Sequence, residues 1–235
     1  MRLTFLLLFA PTVLFANVSQ CSIAKISTTY LKYAEVEKPA EPYETTLSKI
    51  KKDRESLKEN SIVIDSCRTY FLDAFEYKVF PHWVGTTWDY NGYTNTPGEG
   101  KLIACGYFVS TPLKHMGFNW DRYELAKMYS KQIVETITPD IKQYTDKTAM
   151  ILELKSREDH LYIVGLDSHV GMFLKRENRL WFMHSNYYEI KGPDKEIASI
   201  SKALSDSESW WVGTFTTDDN MKKWLNGTYI PTPRD

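Results

Sequence analysis

The spacing of apolar residues changes part-way along the chain, and this change limits the folds that the chain can adopt. Up to about residue 140 many apolar residues recur every three to four positions, as on the buried face of a helix. Beyond that point short apolar segments alternate with polar turns, as in antiparallel strands; the predicted strands are 149–154, 161–166, 169–174, 180–184 and 210–216. Helices that precede strands predict an α+β fold, with N-terminal helices packed on an antiparallel β-sheet.

Four helices are predicted before the strands and one after them. Pro81 ends the second helix, Asp121 caps the fourth, and Thr217 or Asp218 caps the last. The predicted ranges are 43–58, 64–78, a helix with Cys105 at or beside its first turn and Gly117 as its C-terminal cap, 122–136 and 218–225.

The N-terminus has the organisation of an export signal. Arg2 precedes an apolar run over residues 3–15, which is too short to span a membrane comfortably. Two outcomes stay open, cleavage after Ala16 or lipidation of Cys21 after removal of residues 1–20, and the distance from the apolar run slightly favours lipidation. We therefore predict an exported protein, periplasmic or held at the outer membrane as a lipoprotein. A tether and the amphipathic helix would then cover 21–60, and the main domain 61–235.

Composition narrows the range of functions. The chain has 235 residues and a formal net charge of −1, and its Lys and Arg residues form no evident cluster. Binding to nucleic acid is therefore not expected. After removal of a leader the length suits one compact domain with a full core, which we expect to be monomeric.

Cys105 is the first candidate functional residue, because it is predicted to lie at the first turn of a helix. Unsatisfied N–H groups and the helix dipole favour a negative charge there, so the thiol should ionise more easily. On this segment alone a small buried core residue is the commoner interpretation of a free cysteine. In an exported protein a Cys67–Cys105 disulfide is a further alternative, although Cys67 lies in an apolar segment typical of an inert core thiol.

Two histidines are predicted to meet on neighbouring strands. If residues 175–178 form a four-residue hairpin loop, Leu174 faces Arg179 and, in the same register, His169 faces His184. Asn186 shares that sheet face. Two opposed histidines could bind a metal, but no third ligand is evident. They could instead be a base and the group that fixes its tautomer.

The chain resembles the NlpC-type cell-wall cysteine peptidases, a papain-like superfamily, in three segments that occur in the family's order. Gly85-Thr-Thr-Trp-Asp-Tyr-Asn-Gly92 is similar to the segment that precedes the nucleophile in that family. Cys105-Gly-Tyr-Phe-Val-Ser-Thr111 is similar to the nucleophile helix. The third match has two parts. His169-Val-Gly-Met-Phe173 is similar to the family's histidine strand, and Phe182-Met-His-Ser185 is similar to the strand that carries its third polar residue.

This resemblance implies a papain-like fold and a role for each matching residue. Cys105 would be the nucleophile, His169 the base and His184 the residue that orients the base. Trp88 or Tyr90 would lie beside the thiol and, with Asn186, contact substrate. The family usually has Asp before the cysteine and Ser after it; here Ala104 and Gly106 stand at those positions, which leaves the exact substrate open.

The sequence therefore predicts an exported cysteine hydrolase that cleaves an amide bond through a thioester, with peptidoglycan peptides as substrate and no cofactor or metal. Acyl transfer or lipid-ester cleavage by the same site is one alternative, and a non-catalytic envelope-binding module is another. His82, His115 and His160 are predicted to lie beside loops or at exposed helix positions and to have no functional role.

Overall fold

A computed structural model describes residues 39–233. Over this range the protein is α+β, with helices and a six-stranded antiparallel sheet, as predicted. The predicted signal segment, Ala16 and Cys21 lie outside the described residues. Within the described range, none of the helices has the length and apolar character needed to cross a membrane.

The helices and strands follow one another along the chain in the following bounds. The helices are α1 Tyr43–Glu59, α2 Ile64–Asp73, α3 Phe80–Trp83, α4 Cys105–His115, α5 Arg122–Lys127, α6 Ser130–Ile137, α7 Lys147–Ser156, α8 Lys202–Ser205 and α9 Asp218–Asn226. The strands are β1 Thr87–Trp88, β2 Leu102–Ile103, β3 Lys142–Tyr144, β4 Leu161–Leu166, β5 Val170–Arg176, β6 Arg179–Asn186, β7 Gly192–Ile197 and β8 Trp210–Thr214. A π-helical segment, Ala74–Val79, joins α2 to α3.

The main sheet has the strand order β3-β8-β4-β5-β6-β7. Its pairs are all antiparallel, and β4, β5 and β6 are consecutive neighbours joined by tight turns. Strands β1 and β2 form a separate parallel pair. The strand that follows β6 in sequence, β7, also pairs with it, so residues 161–197 form one continuous meander.

Each face of the sheet is covered by its own apolar core. The larger core joins the helical half to one face and includes residues of α1, α2, α4 and α6, among them Ile50, Phe71 and Phe108. The smaller core lies on the other face and includes Leu154 of α7 and Leu204 of α8. Helix α1 is thus packed into the domain, with Ile50 only 1% exposed.

Some element predictions are wrong for identifiable reasons. Segment 149–154, predicted as a strand, is the core of helix α7, because its buried residues recur at helical spacing and Asp146 accepts a hydrogen bond from the N–H of Ala149. Strands β3 and β7 were not predicted. Strand β7 contains Pro193 and three charged residues, a composition that only an edge strand tolerates, and β7 is the edge strand beside β6.

The helix boundaries also differ in two places. Pro81 does not end the helical run, which continues through Trp83; it lies in the first turn of the short helix α3, a position that tolerates proline. The predicted helix over 122–136 is two helices, since Met128 takes extended backbone angles between α5 and α6. The cap by Asp121 and the cap of α9 by Thr217 are confirmed.

Candidate active site

Cys105 is the first residue of helix α4, as predicted, and Gly117 follows the helix with a φ of +117°. The N-cap residue Ala104 makes no side-chain cap, so the first N–H groups of α4 are not capped by it. Cys105 is a partly buried free thiol and Cys67 a fully buried one, so the two do not form a disulfide.

Short contacts hold the approach to Cys105 in place. The N–H of Ala104 donates to the carbonyl of Gly92 at 2.8 Å. Gly92 lies so close to strand β2 that a Cβ there would be 2.4 Å from the nitrogen of Ile103. Ser185, fully buried on β6, donates its hydroxyl hydrogen to the carbonyl of Ile103 at 2.9 Å. This last bond connects the strand that carries His184 to the residues just before Cys105.

The two predicted site histidines do meet, but not in the predicted register. The hairpin has a two-residue turn with Arg176 opposite Arg179, so Leu174 faces Trp181 rather than Arg179. The register differs from the prediction by two residues, an even number, and each side chain therefore keeps its sheet face. A Cβ at Gly171 would lie 3.0 Å from the Cβ of His184, which shows that His184 lies across from Gly171 and diagonal to His169.

A hydrogen bond joins the two imidazoles. Nε2 of His169 lies 2.8 Å from Nδ1 of His184, and the rings are nearly perpendicular. His184 is 0% exposed and stacks on Phe182, with ring centroids 4.2 Å apart. The ring nitrogen of His169 that contacts His184 is therefore Nε2, and Nδ1 is not part of this bond.

A carboxylate that sequence reasoning missed completes this chain of polar groups. Oε1 of Glu196, on strand β7, lies 3.3 Å from Nε2 of His184. Glu196 is 7% exposed, and a side-chain hydrogen bond from Ser201 also reaches it. The only signal in the sequence was the alternation of Asp194 and Glu196, which is informative only if 192–197 is known to be a strand.

Cys105 and His169 line the same cavity, which has a volume of about 770 Å³. Trp88 and Tyr90, predicted to contact substrate, line it as well. Further lining residues that the sequence did not single out come from α4, from α5, from the segments beside these helices and from the segment after β6, namely Tyr93, Tyr107, Lys127, Tyr129 and Tyr187. Aromatic side chains and hydroxyl groups are therefore both frequent on the cavity wall.

Asn186, the third predicted substrate contact, lies elsewhere. It does not line the cavity, is 9% exposed and contacts Asp194 through its amide nitrogen at 3.4 Å. Its amide oxygen accepts the N–H of Tyr188. Tyr187, the residue that follows it, lies over His169 instead, with ring centroids 5.0 Å apart.

The surroundings of Cys105 and His169 favour the neutral form of both side chains. Burial raises the pKa of the Cys105 thiol, although the backbone N–H groups of Val170, Gly106 and Cys105 itself oppose this. Burial, reinforced by His184, holds the pKa of His169 well below its ordinary value. The expectation that the helix terminus alone would ease ionisation of the thiol is therefore corrected, because desolvation outweighs the N–H groups.

The other three histidines each bond to a neighbouring side chain. His82 lies 3.1 Å from the hydroxyl of Thr46, His115 3.1 Å from that of Tyr43, and His160 2.9 Å from that of Thr216. They are half-buried, and the described residues contain no group of three or more His, Cys, Asp or Glu side chains arranged to hold a metal ion.

Comparison of the chain with protein-family models, curated proteins and solved structures finds no match.

Proposed function

We propose that this protein is a cysteine hydrolase that cleaves amide bonds, built on a papain-like fold of the NlpC type. The observation that carries the proposal is that a free thiol at the start of α4 opens into the same cavity as His169. The far nitrogen of that histidine is held by His184 at 2.8 Å. This is the order of groups that nucleophilic catalysis by cysteine requires.

The reaction follows from the atoms available. The sulfur of Cys105 attacks the substrate carbonyl carbon while Nδ1 of His169 takes the thiol proton. Because the resting pair is neutral, proton transfer accompanies attack rather than preceding it. The N–H of Cys105 at the helix terminus donates to the oxyanion. As the carbon–nitrogen bond breaks, His169 returns the proton to the leaving amine. Water, deprotonated by His169, then hydrolyses the thioester and restores the thiol.

The cavity supports a peptide rather than a small compact substrate. Its volume of about 770 Å³ lies within the range of sites that enclose a drug-sized ligand. The lining combines aromatic faces with one exposed cation, Lys127, and one carboxylate, Asp167. The carboxylate of Asp167 already accepts hydrogen bonds from Ser207, Ser209 and the N–H of Glu208. Together with the predicted export signal, this favours peptidoglycan stem peptides as the substrate.

Digestion of purified peptidoglycan, followed by mass analysis of the released fragments and labelling of new amines, tests the proposal. The parent protein should release new amines, and the Cys105→Ala variant should release none. Cys67→Ala is the matched control, because it removes the other free thiol of the described residues from a site remote from the cavity. This control should keep the activity.

Two results would redirect or reject the proposal. Intact peptidoglycan together with Cys105-dependent cleavage of lipid esters, or transfer of an acyl group to an added amine, would assign the same site to a different reaction. Activity that survives Cys105→Ala, or a Cys105 thiol that does not react with iodoacetamide even at high pH, would reject cysteine catalysis.

A further inference from the structure

Among the described residues, Glu196, His184 and His169 form a series of polar groups that leads towards the cavity. The direction in which hydrogen is donated along this series depends on its first member. A neutral imidazole donates through one nitrogen and accepts through the other. Two linked imidazoles can therefore be arranged in either of two directions. Only one of them leaves Nδ1 of His169 with a lone pair that can accept the thiol proton.

We propose that Glu196 is a positioning residue that sets this direction and thereby keeps His169 in the basic tautomer. The proposal rests on the proposed function for its effect on catalysis, but its structural content does not depend on that function. Glu196 touches neither the substrate cavity nor Cys105, so it would act only through His184.

The geometry leads to this assignment step by step. Nε2 of His184 is buried and has no well-aligned hydrogen-bond partner among the described residues, and the carboxylate of Glu196 lies 3.3 Å from it. An ionised carboxylate can only accept, so it favours a hydrogen on Nε2 of His184. Nδ1 of His184 then carries a lone pair and accepts the Nε2 hydrogen of His169 at 2.8 Å. Nδ1 of His169 is left free to accept.

The surroundings support an ionised Glu196. Burial alone would raise the pKa of its carboxyl, but the nearby imidazole of His184, a hydrogen bond from Ser201 and the nearby Lys191 hold that pKa below its usual value. The other ionisable neighbour is Tyr188, in the segment before β7. The ring of His184 is fixed by stacking on Phe182, so rotation of the ring is hindered and the tautomer is the remaining freedom.

Strand β7 offers a matched control. Asp194 is the direct cross-strand partner of His184 and is also buried, at 7% exposed. Its carboxylate, however, contacts Lys191 at 2.6 Å and Asn186 at 3.4 Å rather than an imidazole. Asp194→Asn therefore removes an equally buried carboxylate from the same strand without removing the acceptor of His184.

Nitrogen-15 NMR of the full chain, labelled at histidine and studied at about pH 7.5, reads each tautomer directly. In the parent protein His169 and His184 should both carry hydrogen on Nε2. Glu196→Gln should convert His184 wholly or partly to the Nδ1–H form, because the amide nitrogen can donate to Nε2. Asp194→Asn should leave both tautomers unchanged, and Glu196→Asp should largely keep the parent pattern. A parent His184 with hydrogen on Nδ1, or a Glu196→Gln variant with unchanged tautomers, would overturn the proposal.

Kinetics separate this proposal from the proposed function. Glu196→Gln should lower kcat by at least about tenfold with little change in KM, since it withdraws the general base, which contributes roughly 10²–10⁴-fold. It should also move the acid limb of kcat/KM to lower pH, because loss of the anion disfavours the imidazolium. Expected tautomers in a chain that cleaves no amide would reject the proposed function alone. An active hydrolase in which Glu196→Gln leaves the tautomers of His169 and His184 unchanged would reject this assignment alone.

Discussion

The close contact between helices α4 and α5 makes Gly106→Ala the sharpest test of how Cys105 is positioned. Gly106 follows Cys105 and lies in the first turn of α4. A Cβ at this position would lie 2.3 Å from the carbonyl oxygen of Ala126 and 3.1 Å from its carbonyl carbon. Both obstructing atoms belong to the backbone of α5, so no side chain can rotate away.

The expected change in the free energy of unfolding is the difference between the cost of overpacking and the gain in helix propensity. Non-bonded carbon and oxygen atoms prefer separations of roughly 3.5 Å, so one helix must move by about 1 Å. Overpacking of this kind costs about 1–3 kcal/mol, and we expect the upper end because backbone must shift. Ala gains up to about 1 kcal/mol over Gly in a helix. The free energy of unfolding should therefore fall by about 2 kcal/mol, which lowers Tm by roughly 4–8 °C for a domain of this size.

Urea and thermal denaturation of the parent and the Gly106→Ala variant measure this loss. Gly227→Ala is a useful comparison, because Gly227 has a φ of +63° and no atom lies within 4 Å of the position that a Cβ would occupy. That substitution isolates backbone strain, at about 1–2 kcal/mol, from crowding. The rate of Cys105 alkylation should change in Gly106→Ala and stay at the parent value in Gly227→Ala. An unchanged or higher Tm for Gly106→Ala would refute the argument that the backbone of α5 packs too closely on the first turn of α4 to admit a side chain.

Substitution of Ser185, alkylation of Cys105 and titration of His115 give three more measurable outcomes. Ser185→Ala leaves the buried carbonyl of Ile103 without its hydroxyl donor, which should cost about 1–3 kcal/mol in urea denaturation; a cost near zero would contradict a role for this bond. Alkylation of Cys105 should rise about tenfold per pH unit from pH 6 to pH 8.5, because burial raises the pKa of the thiol; a plateau already at pH 6 would indicate a preformed ion pair. Burial lowers the pKa of His115 from 6.5 to about 4, so the unfolded chain binds the proton first and stability should fall by up to about 3 kcal/mol as pH drops from 6.5 to 4. His115→Gln should flatten this part of the stability–pH curve.

The sequence by itself determined the α+β class, the start of α4 at Cys105, four of the six strands of the main sheet and the two caps at Asp121 and Thr217. These features are local: each follows from the spacing of apolar residues or from a capping group within a few positions. The approach of His169 to His184 was also predictable, because an error of two residues in register preserves the sheet face.

Only the tertiary structure decided the rest of the site. Glu196 reaches His184 because β7 pairs with β6, and an edge strand that contains proline and charges has no distinctive local pattern. Tyr187 and Lys127 reach the cavity through a turn and a helix that are remote in sequence from Cys105. The directions of the pKa shifts at Cys105 and His169 also depend on the tertiary structure, because desolvation depends on everything packed around a group. The helix terminus that was visible in the sequence is only one contribution.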